Sequence, residues 1–205
     1  MKILVFGPTG GTGSAIVDLA LAAGHDVTAF ARDPSRIDIF RDKLNILWGD
    51  VLDDDAVADA VPGHDAVLSA LGVTGGSPVN VCSEGTRNIL TAMEASGVRR
   101  FVCASAYGAG ETRTWGPYAR FLRVWIPRRM HDKDRMEEIV RASPLEWVIV
   151  RPPILTNGPR TGKYRVDEQL RLGWVPRISR ADVADFMLRV AEGHARLCDA
   201  PTIAY

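Results

Sequence analysis

The stretch KILVFGPTGGTGSAIV, residues 2–17, decides the fold, because an apolar run of strand length passes directly into spaced glycines and then into a helical pattern. A chain needs bare backbone either to turn where a Cβ would clash or to let another group approach closely. A glycine-rich turn between a strand and a helix is typical of a dinucleotide site, in which free amides and the helix dipole hold the pyrophosphate. The stretch therefore predicts a phosphate-binding turn.

Each glycine of the turn has its own predicted role. Gly7 permits the tight turn, Gly10 admits the pyrophosphate to the backbone, and Gly13 lets helix and strand pack closely. The predicted phosphate loop is completed by Thr9, Gly11 and Thr12. It is not a Walker loop, because no Lys follows Gly13. A glycine-rich turn without a ligand is the alternative.

The rest of the chain alternates between strand-length apolar runs and longer helical stretches. The predicted strands are Lys2–Phe6, Asp26–Ala31, Asn45–Leu47, Ala66–Ala70, Arg100–Ala104, Trp147–Val150 and Thr202–Ala204. The predicted helices are Thr12–Ala23, Asp54–Ala60, Asn80–Ser96, Asp132–Ala142 and Arg180–Glu192. This alternation predicts an α/β fold with a parallel sheet and right-handed crossovers. The poorly patterned stretches 108–130 and 152–177 follow late strands, so we expect them to be substrate loops.

Composition narrows the class of protein. With 205 residues, 46% of them apolar, the chain is expected to form one domain over residues 1–205. Its 25 basic and 25 acidic residues balance, which argues against a nucleic-acid or membrane-surface partner. No apolar run has the ~20 residues that span a bilayer, and no secretory segment is recognised, so a cytoplasmic location is expected. The 3 cysteines and 4 histidines follow no metal spacing, so no metal is predicted.

The end of the second strand indicates which dinucleotide binds. An NAD site usually has a carboxylate there for the ribose, but this strand ends in Arg32-Asp33-Pro34-Ser35-Arg36. Arg32 and Arg36 suit the 2′-phosphate of NADP, so NADP is favoured over NAD. The alternatives are that Asp33 binds the ribose or that the arginines are solvated or pair with Asp33. By fold analogy, Asp50 and Val51 after the third strand would flank the adenine.

Motifs along nearly the whole chain resemble one family. They are GPTGGTG at 7–13, ARDPSR at 31–36, GDVLD at Gly49–Asp53, SEGTRNILTAMEASGV at Ser83–Val98, CASA at Cys103–Ala106, RPP at Arg151–Pro153, TGKY at Thr161–Tyr164 and ISRADVADFML at Ile178–Leu188. The chain resembles an atypical short-chain dehydrogenase/reductase of the biliverdin reductase B and NADPH flavin reductase group, within the NmrA-like superfamily. The resemblance implies a Rossmann doubly wound parallel sheet in three α/β/α layers. It also implies NADPH-dependent hydride transfer to flavins, in some members to linear tetrapyrroles, by a cytosolic monomer or weak homodimer.

The resemblance also assigns residues near the nicotinamide. Those matched to the nicotinamide, its ribose and its carboxamide are Leu71, Gly72, Ser105, Ala106, Pro152, Pro153 and Ile154. Reductases of this family often have a His after the two prolines, where this chain has Ile154. That difference places tetrapyrrole reduction in doubt and affects flavin reduction less.

The usual proton donor of the superfamily is incomplete. Classical members pair a Ser with Tyr-x-x-x-Lys, whose Lys lowers the Tyr pKa so that the phenol protonates a carbonyl. Ser105 stands at the expected strand end and Tyr118 lies 13 residues further on, but position 122 is Leu122. Ser105 either contacts the cofactor or substrate or caps a strand. Lys133 reaches the nicotinamide ribose or forms a surface ion pair with Glu137. Ser105 and Lys133 are the candidate catalytic residues.

Aromatic and arginine residues alternate between Trp115 and Arg129. We expect a lid whose rings Trp115, Tyr118 and Trp125 contact a planar acceptor. Nucleic-acid binding, a membrane-surface helix between Pro117 and Pro127, and simple core packing are the alternatives. Since a flavin can take its proton from water, the predicted function is NADPH-dependent flavin reduction. The alternatives are a non-catalytic NADP sensor and a reductase of a tetrapyrrole or another conjugated carbonyl.

Overall fold

The computed structural model describes residues 1–37, 42–73, 76–173, 175–194 and 197–205. Its central sheet has six strands, β1 Lys2–Phe6, β2 Asp26–Ala31, β3 Leu44–Trp48, β4 Ala66–Ser69, β5 Arg100–Ala104 and β6 Glu146–Val150. All neighbouring pairs are parallel, in the order β3-β2-β1-β4-β5-β6. This is the strand order of the Rossmann doubly wound fold, so the predicted fold class is confirmed.

Helices cover both faces of the sheet. They are α1 Gly11–Ala22, α2 Asp54–Ala60, α3 Val81–Ser96, α4 Gly116–Trp125, α5 Pro127–Ala142 and α6 Arg180–Ala191. Successive side chains of a strand point to opposite faces. Ile3 and Val5 accordingly pack with residues of α1 and α6, whereas Leu4 and Phe6 pack with residues of α2, α3 and α5. Burial on both faces explains why β1 is a continuous apolar run, and it produces the three predicted layers.

Short strands complete the second half of the chain. β7 Ile154–Thr156 pairs with β9 Arg177–Ser179, and β8 Arg165–Asp167 pairs with β10 Thr202–Ala204. The tail strand has the predicted bounds, but it joins β8 in place of the central sheet. The prediction of 152–177 as irregular missed β7, β8 and the start of β9, because strands of three residues show too little periodicity. In the described part of the chain, every helix is too short or too polar to cross a bilayer.

Residues 108–130 are mostly helical, so the prediction of an irregular loop is wrong. A 3-10 turn covers Gly110–Thr114, α4 follows it, and α5 begins at Pro127, five residues earlier than predicted. Pro117 and Pro127 stand in the first turns of α4 and α5. At that position a proline costs no hydrogen bond, because the first amides of a helix have no partner within it. The prolines mark helix starts.

Candidate functional site

A cleft of about 400 Å³ opens beside the carboxyl ends of β1 and β4, where the strand order changes direction. Ligands of open α/β sheets bind at this point. The predicted cofactor residues that line it are Gly7, Thr9, Gly10, Gly11, Thr12, Arg32, Arg36, Val51, Leu71 and Gly72. The structure therefore brings the phosphate turn, the second strand end and the fourth strand end to one cavity.

Two glycines of the turn are required by the protein's own packing. Gly7 has φ +75°, and a Cβ there would lie 2.8 Å from the carbonyl oxygen of Ala70. A Cβ at Gly13 would overlap the carbonyl oxygen of Gly7. Any larger residue at Gly7 or Gly13 would push the first helix away from the strand turn.

Gly10 differs from both. It has an ordinary extended backbone with φ −83° and ψ 156°, and the nearest atom to an added Cβ would be 3.5 Å away. Nothing in the described protein requires a glycine here, and Gly10 lines the cleft. A bare Cα facing an open cleft fits a ligand that approaches the backbone closely.

The amino end of α1 suits an anion. The first intrahelical hydrogen bond runs from the Ser14 amide to the Gly10 carbonyl at 2.8 Å, which leaves the amides of residues 11–13 without a partner in the helix. Within the described residues, no side chain caps this end, and its first turn carries no acidic group. Free amides and the positive end of the helix dipole are the arrangement that holds a phosphate, so these residues fit the pyrophosphate of a dinucleotide.

Arg32, the residue after β2, also lines the cleft. Its guanidinium donates to Ser77 Oγ at 2.8 Å and lies 3.9 Å from a carboxylate oxygen of Asp50. Asp33 also lines the cleft, and its carboxylate accepts a hydrogen bond from the Ser35 hydroxyl at 2.5 Å. The alternative in which Arg32 pairs with Asp33 is not formed, since these side chains bond Ser77 and Ser35. Val51 faces the cleft, whereas Asp50 is not among its lining residues.

Arg180, the first residue of α6, lines the cleft and was missed by the sequence analysis. Its side chain lies over Gly11, where a Cβ would come 2.7 Å from the Arg180 Cδ. Its guanidinium donates to Asn157 Oδ1 at 2.6 Å. A side chain at position 11 would have to displace the Arg180 side chain, which adds a third positive charge to the cleft that Arg32 and Arg36 also line. Position 180 lies too far along the chain for a local motif to reveal this contact.

Lys133 joins two strand ends. Its ammonium donates to the carbonyl oxygen of Ala104 at 2.7 Å and to that of Leu71 at 3.0 Å. Of the two alternatives for Lys133, the ion pair with Glu137 is not formed, because the Lys133 ammonium instead bonds main-chain carbonyls at the ends of β5 and β4. Four residues before Lys133, where the classical motif has Tyr, the chain has Arg129.

Ser105 belongs to a buried cluster. Its hydroxyl donates to Glu137 Oε1 at 2.6 Å, and Arg151 donates to both oxygens of Glu137, at 3.0 and 2.6 Å. Arg151 also pairs with Glu111. Burial lowers the pKa of Arg151, but Glu137 and Glu111 outweigh this effect and the net pKa is raised. Ser105 is not among the lining residues of the cleft.

The residues after β5 and β6 lie together but outside the cleft lining. The Tyr107 amide donates to the Pro152 carbonyl at 2.9 Å, which extends the contact between the two strands past Ala106. Pro153 is buried, and Ile154 is partly exposed at the start of β7. The structure thus brings this predicted carboxamide segment to the same sheet edge as Ser105.

The three predicted acceptor rings do not form one surface. Tyr118 is buried and stacks on Tyr107 with ring centroids 6.2 Å apart, and burial raises its pKa. Trp115 is half-buried and packs against the same cluster. Trp125 is exposed at the end of α4. None of the three is among the residues that line the cleft.

A family model described as NAD(P)H-binding matches residues 7–193, from the phosphate turn to beyond α6. The chain belongs to this NAD(P)H-binding family. The resemblance to an atypical short-chain dehydrogenase/reductase is thereby confirmed, and the family assignment covers the cleft from Gly7 to Arg180.

Relatives of this NAD(P)H-binding protein differ in the share of each chain that aligns. An uncharacterized chloroplast protein of Arabidopsis thaliana is 32% identical over 197 residues, which are 89% of this chain and 70% of the relative. A 3-beta-hydroxysteroid dehydrogenase of Mycolicibacterium neoaurum is 34% identical over 113 residues, 49% of this chain and 31% of the relative. The matched region therefore covers less than a third of the length of that dehydrogenase.

Solved structures share the fold along the whole chain. ChuY from Escherichia coli O157:H7, described as an anaerobillin reductase, superposes with a TM-score of 0.86 and 22% identity, over 99% of this chain and 96% of its own. A short-chain dehydrogenase/reductase from Veillonella parvula, solved with NADP, has a TM-score of 0.82 and 16% identity, over 100% and 94%. At these identities the likeness concerns the fold.

Proposed function

We propose that this protein is an NADPH-dependent reductase that delivers hydride to a flavin or a similar planar acceptor. The observation that carries the proposal is the cleft itself. A phosphate turn with an uncapped helix stands at one side, and the Arg32 guanidinium stands at the end of β2, where NAD enzymes usually have a carboxylate. Arginine binds a phosphate in a bidentate manner, so this arrangement favours NADPH over NADH.

The chain's own residues would hold the cofactor at three places. The amides of residues 11–13 and the Gly10 Cα would hold the pyrophosphate, and Arg32 and Arg36 would hold the 2′-phosphate. Arg180, which lies over Gly11, would add a positive charge beside the pyrophosphate. Leu71 and Gly72 would border the nicotinamide end. Lys133 would keep the ends of β4 and β5 in place beneath it, as a positioning residue.

The acceptor is proposed from the missing proton donor. When bound, NADPH supplies a hydride from its nicotinamide ring. Reduction of a carbonyl also needs a proton donor such as Tyr-x-x-x-Lys, and the chain has Leu122 after Tyr118 and Arg129 before Lys133. A flavin takes the hydride at one ring nitrogen and a proton from water at another, giving NADP⁺ and reduced flavin. The protein then needs only to hold the nicotinamide and the flavin ring next to each other, and this requires no proton donor from the protein.

Trp115 remains the proposed ring contact for the acceptor. It is half-buried beside Tyr107 and is close in sequence to the end of β5. Tyr118 is removed from this role by its burial against Tyr107. The proposal that Trp125 contacts the acceptor is weakened by its position on the exposed side of α4.

Tetrapyrrole reduction is the second candidate, and the likeness of fold to the anaerobillin reductase ChuY favours it. Ile154 argues against it, because the side chain cannot donate the hydrogen bond that a His would give to a tetrapyrrole carbonyl. A non-catalytic NADP sensor is the remaining alternative, and the missing Tyr–Lys pair is equally compatible with it.

Steady-state oxidation of NADPH separates the three functions. We expect turnover with FMN and riboflavin, slower turnover with biliverdin, and much weaker activity when NADH replaces NADPH. Gly10→Val serves as a cofactor-binding control that should abolish all turnover. Biliverdin turnover without flavin turnover would favour the second candidate. Tight NADPH binding without oxidation by flavins, quinones or biliverdin would favour the sensor.

A further inference from the structure

The outer face of α4, formed by Phe121, Val124 and Trp125, carries large apolar side chains in solvent. Phe121 is 52% exposed, Val124 76% and Trp125 71%. Because residues three and four apart lie on one side of a helix, these side chains share a face, and the Phe121 and Trp125 rings are 5.4 Å apart. Together with Pro117 and Arg120 they line a shallow groove. Tyr118 and Ala119, in the first turn of α4, are buried.

The segment that carries this face is rich in arginine. Residues 112–131 contain five arginines and no acidic residue, although the whole chain has no net charge. Arg123 is paired with Asp134, and Arg113 lies beside Glu111 and Glu138, away from the groove. Arg120 lines the groove, and Arg128 and Arg129 are exposed in the first turn of α5, which follows α4 directly. The outer face of α4 is therefore apolar, with exposed arginines in it and directly after it.

We propose that the outer face of α4 docks on the surface of an anionic lipid bilayer. A helix of this composition lies in the plane of the interface, with aromatic and aliphatic side chains among the acyl chains and arginines against lipid phosphates. This replaces the expectation of no membrane partner. That expectation rested on the net charge of the whole chain and on the short length of the piece between Pro117 and Pro127, which in the structure is the helix α4, followed directly by α5.

Other occupants fit this face less well. A second copy of the chain, related by two-fold symmetry, would bring the two sets of arginines together, and like charges across an interface are unfavourable. A single-stranded nucleic acid would stack its bases on aromatic faces, but Val124, the most exposed apolar residue of the face, offers no such surface. Exposed apolar side chains among arginines match a lipid surface in both respects.

The test is flotation of the full chain with lipid vesicles. We expect binding to vesicles of phosphatidylcholine mixed with phosphatidylserine, weak binding to phosphatidylcholine alone, and loss of binding at high salt. Trp125 fluorescence should shift to shorter wavelength on binding. The double variants Val124→Ser with Trp125→Ser, and Arg128→Glu with Arg129→Glu, should each weaken binding about tenfold or more.

The matched control is Trp48→Ser, which removes a tryptophan that is 79% exposed at the end of β3. It should bind vesicles as the wild-type chain does. Thermal melts and NADPH binding of every variant show whether it is folded. The arginine double variant should retain NADPH oxidation, so that loss of docking is distinguished from failure of the proposed reductase activity.

Three results would overturn the proposal. The first is a wild-type chain that does not float with the anionic vesicles. The second is flotation that the outer-face variants leave unchanged. The third is a loss of self-association, oligonucleotide binding or flavin affinity in those variants without any effect on flotation, which would assign the face to another partner.

Discussion

The Ser105 hydroxyl donates a hydrogen bond to Glu137 Oε1 at 2.6 Å, and both side chains are buried. The same carboxylate receives two hydrogen bonds from Arg151. Ser105, which the sequence analysis expects either to contact the cofactor or substrate or to cap a strand, is thus bound to Glu137 of α5. Its hydroxyl links the residue after β5 to α5.

Ser105→Ala should therefore affect stability more than chemistry. Removing one hydrogen bond to a charged group costs roughly 1.5–3 kcal/mol. The value of kcat with flavin should fall by less than about tenfold, since no obligate proton donor is lost. Urea unfolding and steady-state kinetics on the same preparation measure the two effects. A fall in kcat of several hundredfold with unchanged stability would show that the hydroxyl acts on the reacting groups.

Arg151→Met should destabilise the fold by about 3–5 kcal/mol, because it leaves the Glu137 carboxylate buried and without its main partner. The double variant Arg151→Met with Glu137→Leu should recover much of this loss, since it removes the stranded charge as well. The free energy of unfolding of wild type, both single variants and the double variant gives the coupling. Additive losses in the double variant would contradict the buried pair.

Arg32→Ala should weaken NADPH binding about 10- to 150-fold, which corresponds to roughly 1.5–3 kcal/mol for a hydrogen bond to a charged group. NADH lacks the 2′-phosphate, so its binding should barely change. Titration calorimetry with both cofactors measures the difference. Arg87→Ala, which removes an exposed arginine on α3 that pairs with Glu84, is the control and should bind both cofactors normally. Equal losses for NADPH and NADH would reject the 2′-phosphate assignment.

Gly10→Val should abolish NADPH binding and keep a cooperative thermal melt. The backbone at Gly10 is extended and has room for a Cβ, so the cost to the fold is about 1 kcal/mol, from a poorer helix cap. Gly13→Ala should behave in the opposite way, since its methyl group would overlap the Gly7 carbonyl and unfold the turn. Gly10→Ala tests the same contact with the smallest side chain. If either Gly10 variant binds NADPH like the wild type, no ligand approaches there.

The cysteines should differ sharply in reactivity. Burial raises the pKa of Cys103 to about 12 and also raises that of Cys82, whereas Cys198 is exposed. A raised pKa keeps a thiol protonated at pH 8, and the thiolate is the reactive form. A thiol reagent at pH 8 should therefore label Cys198 alone in the native protein and all 3 cysteines in denaturant. Fast native labelling of the Cys198→Ser variant would contradict the burial of the other two.

The first strand, turn and helix were predictable because their signals are local. Strand burial, a turn glycine and helical periodicity follow one another within 16 residues, from Lys2 to Val17. The position of Arg32 in the cleft was predictable for the same reason, since Arg32 follows β2 directly. Each of these predictions depends on neighbours in sequence.

The residues that were misjudged depend on distant partners. Lys133 bonds main-chain carbonyls 62 and 29 residues away. Because every residue has a main-chain carbonyl, the sequence does not indicate which of them accepts the hydrogen bond. Arg180 reaches the cleft only because α6 packs beside α1. The helix α4 was not among the predicted helices, since the stretch 108–130 was expected to be a loop, and Pro117 and Pro127 in fact begin two helices.

The contact between Gly11 and Arg180 also has an evolutionary consequence. The long side chain occupies the volume that any β-carbon at position 11 would need. Homologues that keep an arginine at position 180 should keep glycine at position 11, and those with a short residue at 180 are free to carry alanine or serine at 11. The two positions should therefore change together during divergence, although 169 positions separate them.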